Sequence, residues 1–287
     1  MEKTEQNQEK NYNQQTQSQE WSEKTNDILS KVRQKTPLIQ CITNYVSMDL
    51  AANTLLAVGA SPAMLHALEE IPDFTPQIDA LYINVGTLSS TVLQAMKVAA
   101  ELAVDLGKPW IFDPVAAGCS GFRLRACLDL LLLKPTVVRG NGSEIIALSR
   151  ASLGDTKGAD SVHESMDAIE AAKSLAQATG AIVAVTGAVD IVTDGKQVIG
   201  ANNGVQMMQK ITATGCSVTA LIAAFVAVDP THPIEAAAAA LSVFGIAGEL
   251  GMKDAKGPAS LRVNLIDSLH GLDQVSILQH AKITPLS

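Results

Sequence analysis

Apolar positions along the chain fall into two alternating rhythms. Short runs rich in β-branched and aromatic residues at 80–85, 110–113, 136–139 and 181–186 predict strands. Between them, 48–58, 89–106, 122–133 and 161–179 carry apolar residues at helical spacing. Strand and helix in alternation predict an α/β fold, with a mostly parallel central sheet and helices on both faces. Residues 190–199 read as strand, an Asp194-Gly195 turn, and strand, so the sheet is expected to end in an antiparallel edge. The last third is helical: 216–228 and 233–251 are Ala-rich and apolar, and a terminal helix follows from about residue 260.

No repeat of fixed period interrupts this order, so residues 20–287 read as one domain. Residues 1–19 differ. They are polar, low in complexity and free of aliphatic side chains after the initiator. Such a segment buries too little surface to offset the entropy of ordering it, which predicts a disordered extension. Folding is expected to begin near Trp21, with a short helix to Lys35.

Composition narrows the function classes. A formal charge of −8 gives no footprint for nucleic acid or an anionic membrane. The longest uncharged apolar runs, 220–228 and 236–243, fall short of the roughly 18 residues a membrane span needs. The N-terminus lacks the apolar core of a secretory signal. Cys41, Cys119, Cys127 and Cys216 show no metal-ligand spacing and read as reduced thiols. These features together predict a soluble cytoplasmic protein.

Ligands of an open parallel sheet bind beyond the carboxyl ends of its strands, so the residues there carry the search for chemistry. Four segments stand out. In 211–217, Thr214, Gly215 and Cys216 open an Ala-rich helix, where free backbone N–H groups and the helix dipole suit a phosphoryl group. The same residues also suit an ordinary Thr N-cap beside a loop glycine. Asp113 ends a strand before Pro114 and can hold a hard cation, or simply make a turn. Arg139, Asn141 and Glu144 share one short loop: Arg139 can contact phosphate and Glu144 can join Asp113 around Mg²⁺, while Asn141 or Ser143 can cap a helix. Thr186, in Thr-Gly-Ala-Val-Asp, can touch a nucleotide phosphate or ribose, or close a strand-end turn. Neither a Walker A motif nor a GxGxxG fingerprint after the first strand occurs, and the five histidines are scattered without metal-pair spacing.

Taken jointly, several long motifs in fixed order resemble one family. CITNYVSMDLAANTLLAVGASPAM (41–64), NVGTL (84–88), KPWIFDPVAAG (108–118), KPTVVRGNGSEI (134–145), AVTGAVD (184–190), TGCSVTALIAAF (214–225) and GIAGEL (245–250) are similar to hydroxyethylthiazole kinases. The resemblance covers about residues 37–269. It implies a ribokinase-like fold without a lid, assembled as a homotrimer with the thiazole pocket at a subunit interface. The implied reaction is ATP-dependent phosphorylation of the hydroxyethyl thiazole alcohol in thiamine metabolism, with Mg²⁺. Residue by residue, it implies thiazole contacts at Met64, Asn44 and Val46, ATP contacts at Arg139 and Thr186, and metal and phosphate roles for Asp113 and Glu144. Thr214, Gly215 and Cys216 match the catalytic loop, with Cys216 where most ribokinase-like enzymes carry an aspartate base. Ala213 stands where the family commonly has a substrate-lining glycine, and Gly142 where alanine is frequent. A pyrimidine-alcohol kinase, an NAD(P)H-hydrate dehydratase and a non-catalytic sensor are the rival readings on the same architecture.

Overall fold

The computed structural model describes residues 2–154 and 164–286. A long helix α1 (Glu2–Lys35) leads into β1 (Leu38–Ile42), α2 (Met48–Val58), β2 (Ser61–Ala63) and a short α3 (Ile71–Phe74). Regular alternation follows: β3 (Ala80–Asn84), α4 (Ser90–Asp105), β4 (Trp110–Asp113), α5 (Gly121–Leu131), β5 (Val137–Asn141), α6 (Gly142–Ser152), α7 (Glu164–Thr179) and β6 (Ile182–Thr186). The chain ends with β7 (Asp190–Thr193), β8 (Val198–Ala201), α8 (Thr214–Val228), α9 (Pro233–Met252), α10 (Pro258–Gly271), α11 (Gln274–His280) and β9 (Ile283–Leu286).

Among the described residues the strands form one sheet in the order β2-β1-β3-β4-β5-β6-β7-β8-β9. The pairs from β2 to β6 are parallel. The pairs from β6 to β9 are antiparallel. Successive strand residues face opposite layers, as the pleat requires. Tyr82 and Ile111 join the core under α1, α2, α8 and α9, whereas Leu81, Ile83 and Phe112 join the core under α4 to α7. Strands buried on both faces explain the continuous apolar runs in the sequence.

Helices α8 and α9 are apolar around their whole circumference because both are core helices. From Ser217 to Val226 every residue of α8 is buried. Helix α9, expected at 233–251, has the length and hydropathy of a membrane span. Its most apolar window is nonetheless 83% buried inside the protein, which is the signature of a packed core helix.

The structure differs from the sequence reading at both ends. The segment expected to be a disordered extension continues as helix, since α1 starts at Glu2. Its Glu, Gln and Lys residues are strong helix formers, so intrinsic propensity carries the helix where no aliphatic residue is present. Strands β1 and β9 were not foreseen. β1 carries a fully buried Gln40, whose Oε1 accepts from Thr75 Oγ1 at 2.7 Å. β9 contains Pro285 and is exposed over three of its four residues, as an edge strand permits. The expected start of α7 at residue 161 lies outside the described residues.

Candidate active site

The order β2-β1-β3 places the point where strand order reverses between β1 and β3, the crevice in which open α/β sheets bind ligands. Asn84 and Asp113, the last residues of β3 and β4, are register partners, so their side chains leave the sheet side by side. Asp113 is fully buried. Its Oδ2 accepts from Asn84 Nδ2 at 2.8 Å, from Thr219 Oγ1 on α8 at 2.9 Å and from Tyr82 Oη at 3.3 Å. Oδ1 is buried with no partner in the protein. Burial pushes the Asp113 carboxyl up to about 6, against the pull of the Arg139 guanidinium, whose Nη1 lies 3.9 Å from Oδ2. Repulsion from Glu144 adds to the rise.

Arg139, on β5, donates from Nη2 to Thr186 Oγ1 at the end of β6. The same guanidinium lies against the first turn of α8. A β-carbon on Gly215 would stand 2.8 Å from Nη1, so only glycine lets that cation sit on the helix start. The first N–H groups of α8 have no intrahelical acceptor, and the dipole adds positive character there. Residues 214–216 and Arg139 therefore make one anion-attracting surface. Arg139, Thr186, Thr214 and Gly215 line a cavity of about 710 Å³ that continues to Asp190, Asn203, Val205 and Phe244. A cationic mouth leading to an interior of mixed polar and apolar side chains suits a nucleotide's phosphates and base.

Ala213, the residue before the helix, has φ 69° and ψ 6°. The backbone there is left-handed, a conformation that glycine adopts freely and alanine at a cost of about 1 kcal/mol.

Glu144 completes a capping box on α6, its Oε2 accepting from Asn141 N–H at 2.8 Å while Asn141 Oδ1 accepts from Glu144 N–H at 2.9 Å. Its Oε1 accepts from Ala116 N–H at 2.8 Å, tying the loop after β4 to α6. The capping reading of this loop is thus realised by Asn141 and Glu144. No cluster of three metal-ligating side chains exists among the described residues.

On the far side of Gly215, Cys216 is half-buried, and Asn44 Nδ2 donates to its Sγ at 3.5 Å. Burial raises the Cys216 thiol and the Asp113 charge adds to the rise, against the hydrogen bond from Asn44 and the pull of Arg139. Val46 is 60% exposed and Tyr45 70% exposed beside Asn44. Met64 packs part-buried against the core under α8. The sequence-selected residues therefore divide into two groups. Arg139, Thr186, Thr214 and Gly215 surround the cavity, whereas Asn44, Val46, Met64 and Cys216 lie outside its lining, and Asp113 sits beneath the junction.

The family model of the Hydroxyethylthiazole kinase family matches residues 29–275. The chain belongs to this family. It is 64% identical over 267 residues to a hydroxyethylthiazole kinase of Arabidopsis thaliana, covering 93% of this chain and 97% of that protein. A hydroxyethylthiazole kinase of Zea mays is 60% identical, covering 92% of this chain and 94% of that one. The solved structure of a hydroxyethylthiazole kinase protein from Pyrococcus horikoshii OT3 superposes with a TM-score of 0.85 at 40% identity, covering 92% and 99% of the two chains. A pyridoxal kinase from Staphylococcus aureus, 17% identical with a TM-score of 0.60 over 87% of this chain and 97% of that one, shares the fold. The kinase-family fold is thus ribokinase-like, with the parallel sheet and antiparallel edge described above.

Sequence reading missed the shell around Asp113. Tyr82 lies in a run read as a strand, while Asn84 and Thr219 lie in the motifs 84–88 and 214–225 with no role of their own assigned. The available signal was a polar residue at a strand's carboxyl end (Asn84) and another two positions earlier (Tyr82). Arg123 was also missed: it donates from Nη2 to Gly86 O at 2.9 Å and from Nη1 to Val115 O at 3.1 Å, clamping the loops after β3 and β4 together.

Proposed function

We propose that the protein transfers the γ-phosphoryl group of ATP to the primary hydroxyl of 4-methyl-5-(2-hydroxyethyl)thiazole, in thiamine biosynthesis or salvage. The observation that carries this reading is the 64% identity to a hydroxyethylthiazole kinase over 93% of the chain. The two-sided site supports it. The nucleotide enters the cavity with its phosphates on Arg139 and Thr186, and its γ-phosphoryl meets the N–H groups of Thr214, Gly215 and Cys216. The alcohol approaches from the Asn44, Val46, Met64 and Ala213 side.

The bond from γ-phosphorus to the β–γ bridging oxygen breaks, a bond from phosphorus to the alcohol oxygen forms, and the alcohol proton is released. Such transfer leaves little covalent chemistry to the protein and depends on positioning and charge. A thiol raised by burial is a poor base near neutrality, so Cys216 acts chiefly by shape and by its backbone N–H. Asp113, with one buried oxygen lacking a protein partner, fits a Mg²⁺ ion carried by the nucleotide, since Mg²⁺ commonly takes one or two carboxylates plus phosphate oxygens. Glu144 contributes charge nearby. When bound, Mg²⁺ would neutralise phosphate charge.

Exposed Tyr45 and Val46 on the acceptor loop support a homotrimer with sites at subunit interfaces. The acidic chain supports a cytoplasmic enzyme of small molecules, with neither nucleic acid nor membrane as partner. Mass spectrometry of the product tests the reading: a phosphate monoester of the thiazole alcohol formed only with Mg-ATP supports it, and unreacted alcohol refutes it.

A further inference from the structure

We propose that Asn84 is a positioning residue, locking the acceptor loop at Asn44 to the Asp113 carboxylate across the crevice between β1 and β3. The inference rests on the thiazole-kinase reading and assigns a role to a side chain that touches neither substrate in that reading.

Every hydrogen-bonding position of the Asn84 carboxamide is used. Nδ2 donates to Asp113 Oδ2 at 2.8 Å and to Tyr82 Oη at 3.0 Å. Oδ1 accepts from Asn44 Nδ2 at 2.7 Å and from Gly86 N–H at 2.9 Å. Turning the amide over would set donors against donors, so only one orientation is allowed. Asn84, Asn44, Asp113 and Tyr82 are all buried, and Asn84 is only 1% exposed. An unmade bond there exposes no group to water, which makes the network all-or-none.

The two ends of this network meet the two halves of the reaction. At one end Asn84, Thr219 and Tyr82 occupy Asp113 Oδ2, leaving Oδ1 as the oxygen without a protein partner. At the other end Asn44 Oδ1 accepts from the N–H groups of Val46 and Ser47, both at 3.0 Å, which fixes the turn carrying the exposed Val46. The second proton of Asn44 Nδ2 reaches Cys216 Sγ at 3.5 Å. A chain of hydrogen bonds thus runs from the carboxylate through Asn84 to the loop and the thiol. Gly86 is shaped to it: a β-carbon there would stand 2.6 Å from Asn44 Nδ2. A polar residue kept only for sheet stability has no need to bridge two separate loops at the switch point.

The two functions of Asn84 separate by substitution. Asn84→Asp keeps an acceptor for Asn44 and Gly86 but exchanges the donors facing Asp113 for a like charge. Asn84→Leu preserves volume and removes both. Steady-state kinetics of the full-length protein at pH 8, with the thiazole alcohol and Mg-ATP varied separately, read the difference. Asn84→Leu is expected to raise the KM for the alcohol and lower kcat, each by about tenfold or more, the scale of a small misplacement. Asn84→Asp is expected to lower kcat by about as much while holding the alcohol KM within about threefold, and both variants keep the KM for ATP within about twofold. Equal changes in both variants, or kinetic constants of the folded enzyme unchanged in either, would overturn the inference alone. No turnover of the thiazole alcohol by the unsubstituted protein would remove the functional reading, and this inference with it.

Discussion

The guanidinium of Arg139 lies directly over Gly215, where a β-carbon would stand 2.8 Å from Nη1 and 3.0 Å from Nη2. In the proposed reaction the cation that would attract phosphate and the helix N-terminus that would receive it share one contact, set by the smallest residue. Gly215→Ala displaces that cation. Alanine also favours helix over glycine by about 1 kcal/mol, so stability gives no reason for loss. The variant is expected to raise the KM for ATP by about tenfold or more, the effect of weakening one charge-assisted contact, with a melting temperature no lower than the parent's. A normal KM for ATP would show that Arg139 does not act on the nucleotide.

Ala213 holds a left-handed backbone at φ 69° immediately before the same helix. Ala213→Gly removes the strain and is expected to stabilise the protein by about 0.5–1 kcal/mol. For a chain of this length that is a rise in Tm of about 1–3 °C. Thiazole-alcohol turnover is expected to be retained. A fall in Tm under scanning calorimetry contradicts the strain argument.

Cys216 is raised by burial, whereas Asp113 carries a buried negative charge held to α8 through Thr219. Cys216→Ala is therefore expected to lower kcat by no more than about tenfold, and Asp113→Ala by about a hundredfold or more, the range for lost electrostatic stabilisation. Equal losses in the two variants, measured by initial rates at saturating ATP, would assign the thiol a larger chemical role.

The same carboxylate sets a pH dependence of stability. Unfolded aspartate titrates near 3.8, and burial holds native Asp113 at about 6. Between these values the native state binds the extra proton. The stability this group contributes is complete below its unfolded pKa and is lost as pH rises through about 6, a change on the order of 2–3 kcal/mol. Asn at this position keeps an oxygen for the three donors and presents its NH₂ where Oδ1 had no partner. In metal- and nucleotide-free urea unfolding, Asp113→Asn is expected to be more stable than the parent at pH 7.5 by on the order of 1–3 kcal/mol, with the advantage falling to about a third of that near pH 4.5 and vanishing only below the unfolded pKa of 3.8. A destabilised variant at pH 7.5 would mean that the Arg139 pairing outweighs burial.

Much of this fold was legible because burial on two faces writes short continuous runs of apolar residues, as in β3, β4 and β6, and because the Asp194-Gly195 turn marks the hairpin. β1 escaped since Gln40 breaks its apolar run, and its polar end is satisfied by Thr75, more than thirty residues away. The anion loop, Arg139 and Thr186 were legible from strand ends and from motif order. Their mutual contact was not, because it depends on how α8 crosses the sheet. The role of Asn84 was illegible for the same reason: its four partners come from three stretches of chain, around residues 44, 82–86 and 113. Glu144 was legible as a cap, and its carboxylate also holds the loop after β4 through Ala116 N–H.

The most direct test is a coupled ADP-release assay with Mg-ATP, offering the hydroxyethyl thiazole alcohol and hydroxymethylpyrimidine side by side. The account predicts saturable ADP release with the thiazole and none above background with the pyrimidine. Release with the pyrimidine alone, or with neither alcohol, would contradict it.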